Sequence, residues 1–243
     1  MTQTDNSTPA AVVFDLDGTL ADTAVDICDA LNTALREQNL GTLEPGSVRL
    51  MIGKGPVVLV ERALQHLGTD PQPQLVESLC RAFIRCYAKQ GNQRSTLFAG
   101  VKRCLDRLAA QDIRTGVCSN KPHEFCQALL DDLGVSDYFA AVQGSADGLP
   151  RKPDPALLLA VLESLDVLPH QALYVGDSET DVRTARAAGV PVALVRYGYS
   201  AEPVEELGAD CVLQTLQDLP GIWTAISPPD PQAGSQPPRS KAL

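Results

Sequence analysis

Short apolar runs alternate with amphipathic segments over most of the chain. Four runs are typical of buried strands because they are short and end at polar or glycine residues: 11–14, 115–118, 172–175 and 191–195. Segments with helical spacing of apolar residues lie between or after them: 100–111, 121–133, 155–165 and 181–188. Two further short strands are predicted at 139–142 and 211–213. This rhythm predicts an α/β fold with a doubly wound, mostly parallel, Rossmann-like core.

Residues 23–92 interrupt the rhythm and contain no clear strand. Amphipathic helices are predicted at 25–39, 56–67 and 74–89, with glycine and proline between them. A block of helices directly after the first strand indicates an insertion. We therefore predict a core formed by residues 10–22 and 93–226, with a helical domain inserted at 23–92.

The two ends of the chain are polar. Residues 1–9 lack the apolar stretch of a signal peptide, and residues 227–243 are rich in proline and polar residues. We expect both ends to be disordered, because neither has enough apolar surface to bury. No apolar run approaches the ~20 residues of a membrane helix, so we expect a cytoplasmic protein without a membrane partner.

Composition narrows the classes of partner. The net charge of −10 argues against a surface that binds nucleic acid or anionic lipid. The seven cysteines are odd in number and show no Cys-x-x-Cys spacing, which favours buried reduced thiols over disulfides or zinc. The sequence leaves the oligomeric state open between a monomer and a homodimer.

Polar residues follow three of the predicted strands. Asp15-Leu16-Asp17-Gly18-Thr19 follows the first, Ser119-Asn120 the second, and a segment from Gly176 to Asp181 the third. Ligands of parallel α/β sheets bind beyond the carboxyl ends of the strands, so these side chains should converge. A fourth segment, Lys152-Pro153-Asp154, offers a cation to such an acidic cluster.

The two aspartates after the first strand are the candidate catalytic residues. The Asp15 carboxylate can attack phosphorus as a nucleophile and form an aspartyl-phosphate. Asp17 can act as general acid toward the leaving group and then as general base toward water. Taken alone, Asp15 is more typical of an aspartate that ends a strand and caps a turn; the second aspartate and the Gly18-Thr19 that follow favour the nucleophile.

The remaining polar residues suit a metal and a phosphoryl group. Asp177 and Asp181 are four positions apart, which places both on one face if the turn is helical, and with the nucleophile they suit Mg²⁺. Asp181 is also typical of a charge at a helix N-terminus. Lys152, rather than the arginine before it, is the candidate cation for catalysis and phosphate binding. Ser119 offers a hydroxyl, and Asn120 a backbone N–H or amide, to phosphoryl oxygens.

The four motifs, in this order and spacing, resemble those of the haloacid dehalogenase-like phosphohydrolases. The resemblance extends from about residue 12 to residue 219. It implies a mobile helical cap over the active site and a Mg²⁺-dependent reaction on a small phosphorylated metabolite. It also implies that Asp177 ligates the metal directly, that Asp181 acts nearby or through water, and that the Asp17 backbone carbonyl is a further ligand.

Two other stretches resemble phosphoglycolate phosphatases, which implies hydrolysis of 2-phosphoglycolate to glycolate and phosphate. They are residues 52–64, which begin Ile-Gly-Lys-Gly-Pro, and residues 187–199. In relatives the loop at Gly53, Lys54 and Gly55 faces the leaving group, which makes it a candidate for substrate specificity. Many relatives have a small polar residue in place of Lys54. This lysine suits a substrate carboxylate, or it is a solvated loop residue.

Other reactions remain as alternatives at this stage. Another small sugar phosphate or pyrophosphate is an alternative substrate. Dehalogenation is disfavoured by Asp17, and a hexose-phosphate mutase usually has valine in place of Thr19. A phosphonatase requires a cap lysine, for which Lys54 is a candidate. A non-catalytic phosphate-binding relative is expected to lack Asp15 or Asp17, and both are present.

Overall fold

The computed structural model describes residues 8–145 and 148–222. Six of its strands form one sheet in the order 5-4-1-6-7-8, and every neighbouring pair in it is parallel. Strands 2 and 3 form a small antiparallel ribbon. The strands are β1 (Ala11–Phe14), β2 (Ala21–Asp22), β3 (Thr96–Leu97), β4 (Arg114–Pro122), β5 (Ala141–Ser145), β6 (Ala172–Gly176), β7 (Val192–Val195) and β8 (Cys211–Leu213).

Helices cover both faces of the sheet. They are α1 (Ala24–Glu37), α2 (Pro45–Arg49), α3 (Pro56–His66), α4 (Pro73–Gln90), α5 (Val101–Ala109), α6 (His123–Asp132), α7 (Ala156–Ser164) and α8 (Glu179–Ala188). Helices α5 and α6 pack against one side of β1 through Val12 and Phe14. Helices α7 and α8 pack against the other side through Ala11 and Val13. The predicted α/β, Rossmann-like core is therefore confirmed.

Strand β1 lies where the order of the strands reverses. It pairs with β4 on one side and β6 on the other, and all four of its residues are buried. Phe14 is level with Val117 of β4 and Val175 of β6. A crevice therefore opens at the carboxyl ends of these three strands, where ligands of such sheets bind.

The inserted segment contains helices α1 to α4, which share an apolar cluster of their own that includes Leu31, Leu64 and Leu79. The ribbon of β2 and β3 pairs Ala21 with Leu97, so the chain leaves the core and returns to it at one place. These helices occupy 24–90, within the predicted insertion at 23–92. That they form a separate domain stays a prediction.

The structure differs from the sequence-based expectation in the presence of some elements and in the boundaries of others. Helix α2 was not expected, because five residues are too few to show a period. The helix expected from residue 121 begins at His123, since β4 continues through Pro122, which pairs with Ser145. The strand expected at 139–142 lies at Ala141–Ser145, where polar residues obscure the apolar pattern.

The prediction of disordered ends concerns residues that mostly lie outside the described ranges, which exclude 1–7 and 223–243. Within the described ranges, no helix has both the length and the apolar character needed to cross a bilayer. All seven cysteines are free thiols, as predicted; Cys86 and Cys211 are half-buried and the others are buried.

Candidate active site

The predicted site residues of the core converge beyond the carboxyl end of β1. Asp15 follows β1 directly, and its backbone N–H donates to the Val175 carbonyl at 2.8 Å, which continues the ladder with β6. The residues brought together here are all buried: Asp15, Asp17, Ser119, Asn120, Lys152, Asp177 and Asp181.

Three carboxylates form a compact acidic cluster. One oxygen each of Asp15, Asp177 and Asp181 lies within 4.8 Å of the others. Burial is the largest cause that raises the pKa of Asp15 to about 6, with Lys152 opposing it. Burial, and then the charge of Asp181, raises the pKa of Asp177 well above its ordinary value. The cluster therefore holds more negative charge than its protein surroundings neutralise.

The charge balance fits a divalent cation. Asp17 adds a fourth buried carboxylate, and the buried ammonium groups beside these aspartates are those of Lys152 and Lys121. With all of these groups ionised, two negative charges remain uncompensated. Carboxylate oxygens are the ligands that hard divalent cations prefer, so the acidic cluster suits such an ion.

Lys152 lies beneath the acidic cluster. Its Nζ donates to Asp15 Oδ1 and Asp181 Oδ1, each at 2.8 Å, and it also contacts the Tyr174 hydroxyl at 2.9 Å. Burial alone would lower the pKa of Lys152, but the two carboxylates raise it above its ordinary value. The neighbouring arginine, Arg151, is exposed. The structure thus places Lys152, and not Arg151, against Asp15.

Both carboxylate oxygens of Asp181 are occupied. Oδ2 accepts from the Ser178 hydroxyl at 2.7 Å and from the backbone N–H of Asp177 at 3.2 Å, while Oδ1 accepts from Lys152. Burial would raise the pKa of Asp181, but Lys152 and Ser178 lower it below its ordinary value. Asp181 is an ionised anchor for the loop before α8, an arrangement that favours an indirect role at the metal.

Asn120 ties the core to the inserted helices. Its Nδ2 donates to the carbonyls of Lys152 and Gly53, both at 3.0 Å, and its Oδ1 accepts from the Lys152 backbone at 2.8 Å. The carboxamide is therefore fully engaged. Of the two donors predicted for Asn120, the side-chain amide is therefore already used within the protein.

Asp17 is held by two donors. Its Oδ1 accepts from the Thr23 hydroxyl at 2.7 Å and from Lys121 Nζ at 3.0 Å. Lys121 also lies 4.7 Å from the centroid of the Tyr87 ring in α4. Asp17 is thus positioned jointly by the first turn of the insertion and by a buried lysine of β4.

A cavity of about 50 Å³ separates the core from the inserted helices. Its polar lining comes from the core and includes Asp15, Asp17 and Lys121, whereas its apolar lining comes largely from the helices. Gly53 and Gly55 line it as well. Lys54, between them, is exposed and lines a separate surface depression, so the structure does not bring it into the cavity.

Comparison with known proteins identifies the family. The family model described as haloacid dehalogenase-like hydrolase matches residues 12–195. The chain belongs to the haloacid dehalogenase-like hydrolases.

Several haloacid dehalogenase-like hydrolases similar to the chain are named phosphoglycolate phosphatases. A phosphoglycolate phosphatase from Rhodospirillum rubrum is 43% identical over 225 residues, which cover 91% of this chain and 93% of that protein. One from Yersinia pestis is 42% identical over 209 residues, with coverages of 86% and 90%. The crystal structure of a predicted phosphoglycolate phosphatase from Haemophilus somnus 129PT has a TM-score of 0.82 at 29% identity, covering 91% of this chain and 99% of that chain. These similarities confirm the prediction of a phosphatase.

Sequence reasoning missed three contributors to the site of this haloacid dehalogenase-like hydrolase. Lys121 was assigned to a helix start, although its position directly after Ser119-Asn120 was a usable signal. Thr23 gave no signal of its contact with Asp17. Tyr199 donates its backbone N–H to Asp177 Oδ2 at 2.6 Å, and its hydroxyl accepts from the Thr23 backbone at 2.7 Å. It thereby connects the acidic cluster to the start of α1.

Gly18 is expected to tolerate no side chain. Its φ is +92°, and a Cβ at this position would lie 2.4 Å from Asp177 Oδ2. Backbone strain of about 1–3 kcal/mol and a displaced Asp177 should follow from Gly18→Ala. Since misplacement by about 1 Å can cost on the order of 100-fold, we expect kcat/KM to fall by at least that factor.

The matched control for this prediction is Gly46→Ala, because nothing lies within 4 Å of a Cβ there. Steady-state kinetics and thermal melting of both variants test it. A Gly18→Ala enzyme with unchanged activity and melting temperature would show that the turn accommodates a methyl group.

Proposed function

We propose that this phosphatase hydrolyses 2-phosphoglycolate to glycolate and phosphate, with Mg²⁺ and through an aspartyl-phosphate on Asp15. The observation that carries the proposal is that Asp15 and Asp17 line one small cavity while Asp15 also belongs to the buried acidic cluster. A nucleophile and an acid–base group thus face the same cavity. The names of the relatives favour phosphoglycolate as the substrate.

The first half-reaction transfers the phosphoryl group to Asp15. Lys152 holds Oδ1 of Asp15 at 2.8 Å, and no described residue donates a hydrogen bond to Oδ2. Oδ2 therefore attacks phosphorus, the bond from phosphorus to the ester oxygen breaks, and Asp17 gives its proton to the departing alkoxide. In this proposal the backbone N–H of Asn120 and the Ser119 hydroxyl hold phosphoryl oxygens.

The second half-reaction returns Asp15 to its free state. Asp17, now a carboxylate, takes a proton from a water molecule as the water attacks phosphorus. The bond from phosphorus to Asp15 breaks, and inorganic phosphate leaves. Lys121 and Thr23 keep Asp17 beside the cavity in both halves, because both donate hydrogen bonds to its Oδ1.

Mg²⁺ fits the donor set. Asp15 and Asp177 would hold it directly with the Asp17 backbone carbonyl, and Asp181 would act through the loop that it anchors. The acidic cluster offers only carboxylates, which favours a hard cation over zinc or copper. When bound, the ion supplies positive charge that offsets the phosphoryl oxygens and the crowded carboxylates.

The cavity supports a small leaving group. A volume of about 50 Å³ is room for roughly three to five water-sized groups, since one such group needs about 10–15 Å³. Glycolate is of this size, whereas a hexose would require the helices to move away. The exposed position of Lys54 gives no support to the phosphonatase alternative, which needs a lysine inside the site.

A phosphate-release screen tests the proposal. The purified enzyme is assayed with 2-phosphoglycolate, pyrophosphate, several sugar phosphates and an aryl phosphate, with Mg²⁺ and with a chelator. We expect the highest kcat/KM for 2-phosphoglycolate and no turnover with the chelator. A sugar phosphate or pyrophosphate that is clearly preferred would replace the proposed substrate, and undiminished turnover with the chelator would exclude the metal.

Stabilisation by Mg²⁺ should grow with pH. Burial raises the pKa of Asp15 to about 6, above its unfolded value of about 3.9. Protonated Asp15 therefore stabilises the metal-free protein. This contribution to the free energy of unfolding is fully present when the pH is below the unfolded-state pKa, and it is lost as the pH rises through about 6. The metal competes with that proton, so the increase in melting temperature caused by Mg²⁺ should be larger at about pH 7.5 than at about pH 5.

Thermal melting with and without Mg²⁺ at the two pH values measures this increase. Asp177→Asn is the control, because it removes a carboxylate of the acidic cluster and should abolish most of the effect at either pH. An increase that is the same at both pH values in the unmodified enzyme would contradict the assignment of Asp15 as a ligand.

A further inference from the structure

We propose that Lys121 binds the carboxylate of the substrate's leaving group and so selects anionic over neutral phosphoesters. The inference rests on the proposed function and names the residue that gives it specificity. It assigns to the core a role that sequence reasoning gave to Lys54 in the inserted loop.

Position is the first argument. Among the described residues that line the cavity, Lys121 is the one with a cationic side chain. The same cavity is lined by Asp17, which faces the ester oxygen in the proposed mechanism. Glycolate has its carboxylate one carbon from that oxygen, so a leaving group beside Asp17 has its negative charge within reach of Lys121.

The contacts of Lys121 leave it capable of binding an anion. Its hydrogen-bond acceptors among the described residues are both Asp17 oxygens, at 3.0 and 3.4 Å. An ammonium has three N–H donors, and besides Asp17 its neighbour is Tyr87, whose ring centroid lies 4.7 Å away and whose hydroxyl also interacts with the ammonium, so a donor remains for a further anion. Lys152 differs, because its Nζ already has four acceptors.

The surroundings strengthen such a contact. The Lys121 side chain is 5% exposed, and the cavity walls near it include Phe83, Tyr87 and Phe125. The Tyr87 ring packs edge-on against Phe125 at 5.1 Å, and its hydroxyl donates to Asn92 at 2.9 Å, which fixes the ring under the ammonium. A charge-assisted bond shielded from water in this way is stronger than one on the surface.

Substrate binding would give Lys121 a second anionic partner beside Asp17. Among the described residues, Asp17 is the carboxylate that pairs with the ammonium. A substrate carboxylate shares the same ammonium, and the Coulomb attraction between Lys121 and Asp17 then holds Asp17 less tightly. A neutral leaving group offers no such partner, so it lacks this contact and leaves Lys121 bound to Asp17 alone.

Substrate selectivity in Lys121→Met is the test. The substrates are 2-phosphoglycolate and its neutral amide, which has nearly the same size and the same phosphoester. We expect kcat/KM to fall by about 10- to 100-fold more for 2-phosphoglycolate than for the amide, the range for one buried charge-assisted contact. Lys121→Arg should keep part of the selectivity, and Lys89→Met, which removes an exposed lysine of α4, should keep all of it.

Inhibition by glycolate gives a second readout that does not need turnover of phosphoglycolate. With an aryl phosphate as substrate, glycolate should inhibit the unmodified enzyme at about 10- to 100-fold lower concentration than it inhibits Lys121→Met. Circular dichroism of each variant checks the fold. If Lys121→Met fails to fold, Lys121→Gln, which keeps a donor toward Asp17, replaces it in both measurements.

The outcomes separate this inference from the proposed function. An unmodified enzyme that does not hydrolyse 2-phosphoglycolate would overturn the proposed function, while glycolate inhibition would still test Lys121. Equal losses on ester and amide, with unchanged inhibition by glycolate, would show that Lys121 only positions Asp17. A loss of selectivity in Lys54→Met but not in Lys121→Met would show that the substrate carboxylate binds to Lys54 in the inserted loop and not to Lys121.

Discussion

Asp15→Asn should lower kcat by on the order of 10⁴-fold or more, which is the scale of losing a covalent nucleophile. An amide oxygen is a poor nucleophile toward phosphorus, and no other carboxylate among the described residues both lines the cavity and belongs to the acidic cluster. The fold should persist, because the asparagine oxygen can still accept the hydrogen bond from Lys152. Phosphate release measures the loss, and thermal melting checks the fold.

The control for this variant is Asp137→Asn, which makes the same change at an exposed position of the core. The Asp15→Asn protein must be shown by mass spectrometry to be free of deamidation, which would restore the nucleophile. Activity above a few per cent in a verified preparation, with the melting temperature of the unmodified enzyme, would exclude Asp15 as the nucleophile.

Sequence reasoning located the acidic cluster because its residues follow strands. The apolar runs before Asp15 and Asp177 are buried strands that pair with each other, and parallel pairing brings their carboxyl ends to one edge. That Asp15 and Asp177 lie close together could therefore be predicted from the local sequence pattern and a general rule of sheet topology. The same reasoning placed Ser119 and Asn120, since β4 is the other neighbour of β1.

The contacts between the core and the inserted helices could not be predicted in this way. Lys121 meets Tyr87 because α4 reaches the end of β4, and Asn120 meets Gly53 because the loop between α2 and α3 reaches the same strand. Periodicity shows which face of a helix is apolar, but it does not show which core residue that face covers. Lys54 was assigned to the site for its charge and its glycine neighbours, whereas the loop turns its side chain outward.

The other differences between the predicted and the observed elements arise where strands carry polar residues. Sequence rules assign Lys121 and Pro122 to the start of a helix, because proline suits the first turn. In the structure both residues continue β4 instead. The side chains of Gln143 and Ser145 obscure β5 in the same manner. In both places pairing between β4 and β5 outweighs local preference.

Asp17→Asn should separate the two half-reactions. Asparagine keeps an oxygen for Thr23 and Lys121, so the position of the side chain should be preserved while its proton transfer is lost. General acid–base catalysis contributes about 10²–10⁴-fold, and we expect kcat for 2-phosphoglycolate to fall within that range. An aryl phosphate has a leaving group that needs no proton, so its first step should stay fast and only the hydrolysis of the aspartyl-phosphate should slow.

The aspartyl-phosphate should therefore accumulate on Asp17→Asn during turnover of the aryl phosphate. Acid quenching followed by peptide mass spectrometry should locate the phosphoryl group on the peptide that contains Asp15, and a burst of phenol equal to the enzyme concentration should precede slow turnover. Asp15→Asn and the unmodified enzyme, treated alike, should show little or none. Slow turnover without a burst or an adduct would mean that Asp17 is required before the phosphoryl group leaves its alcohol, whatever the leaving group. A group needed only for proton transfer becomes dispensable when the leaving group is good. In that case Asp17, held in place by Lys121 and Thr23, would be needed to orient the substrate.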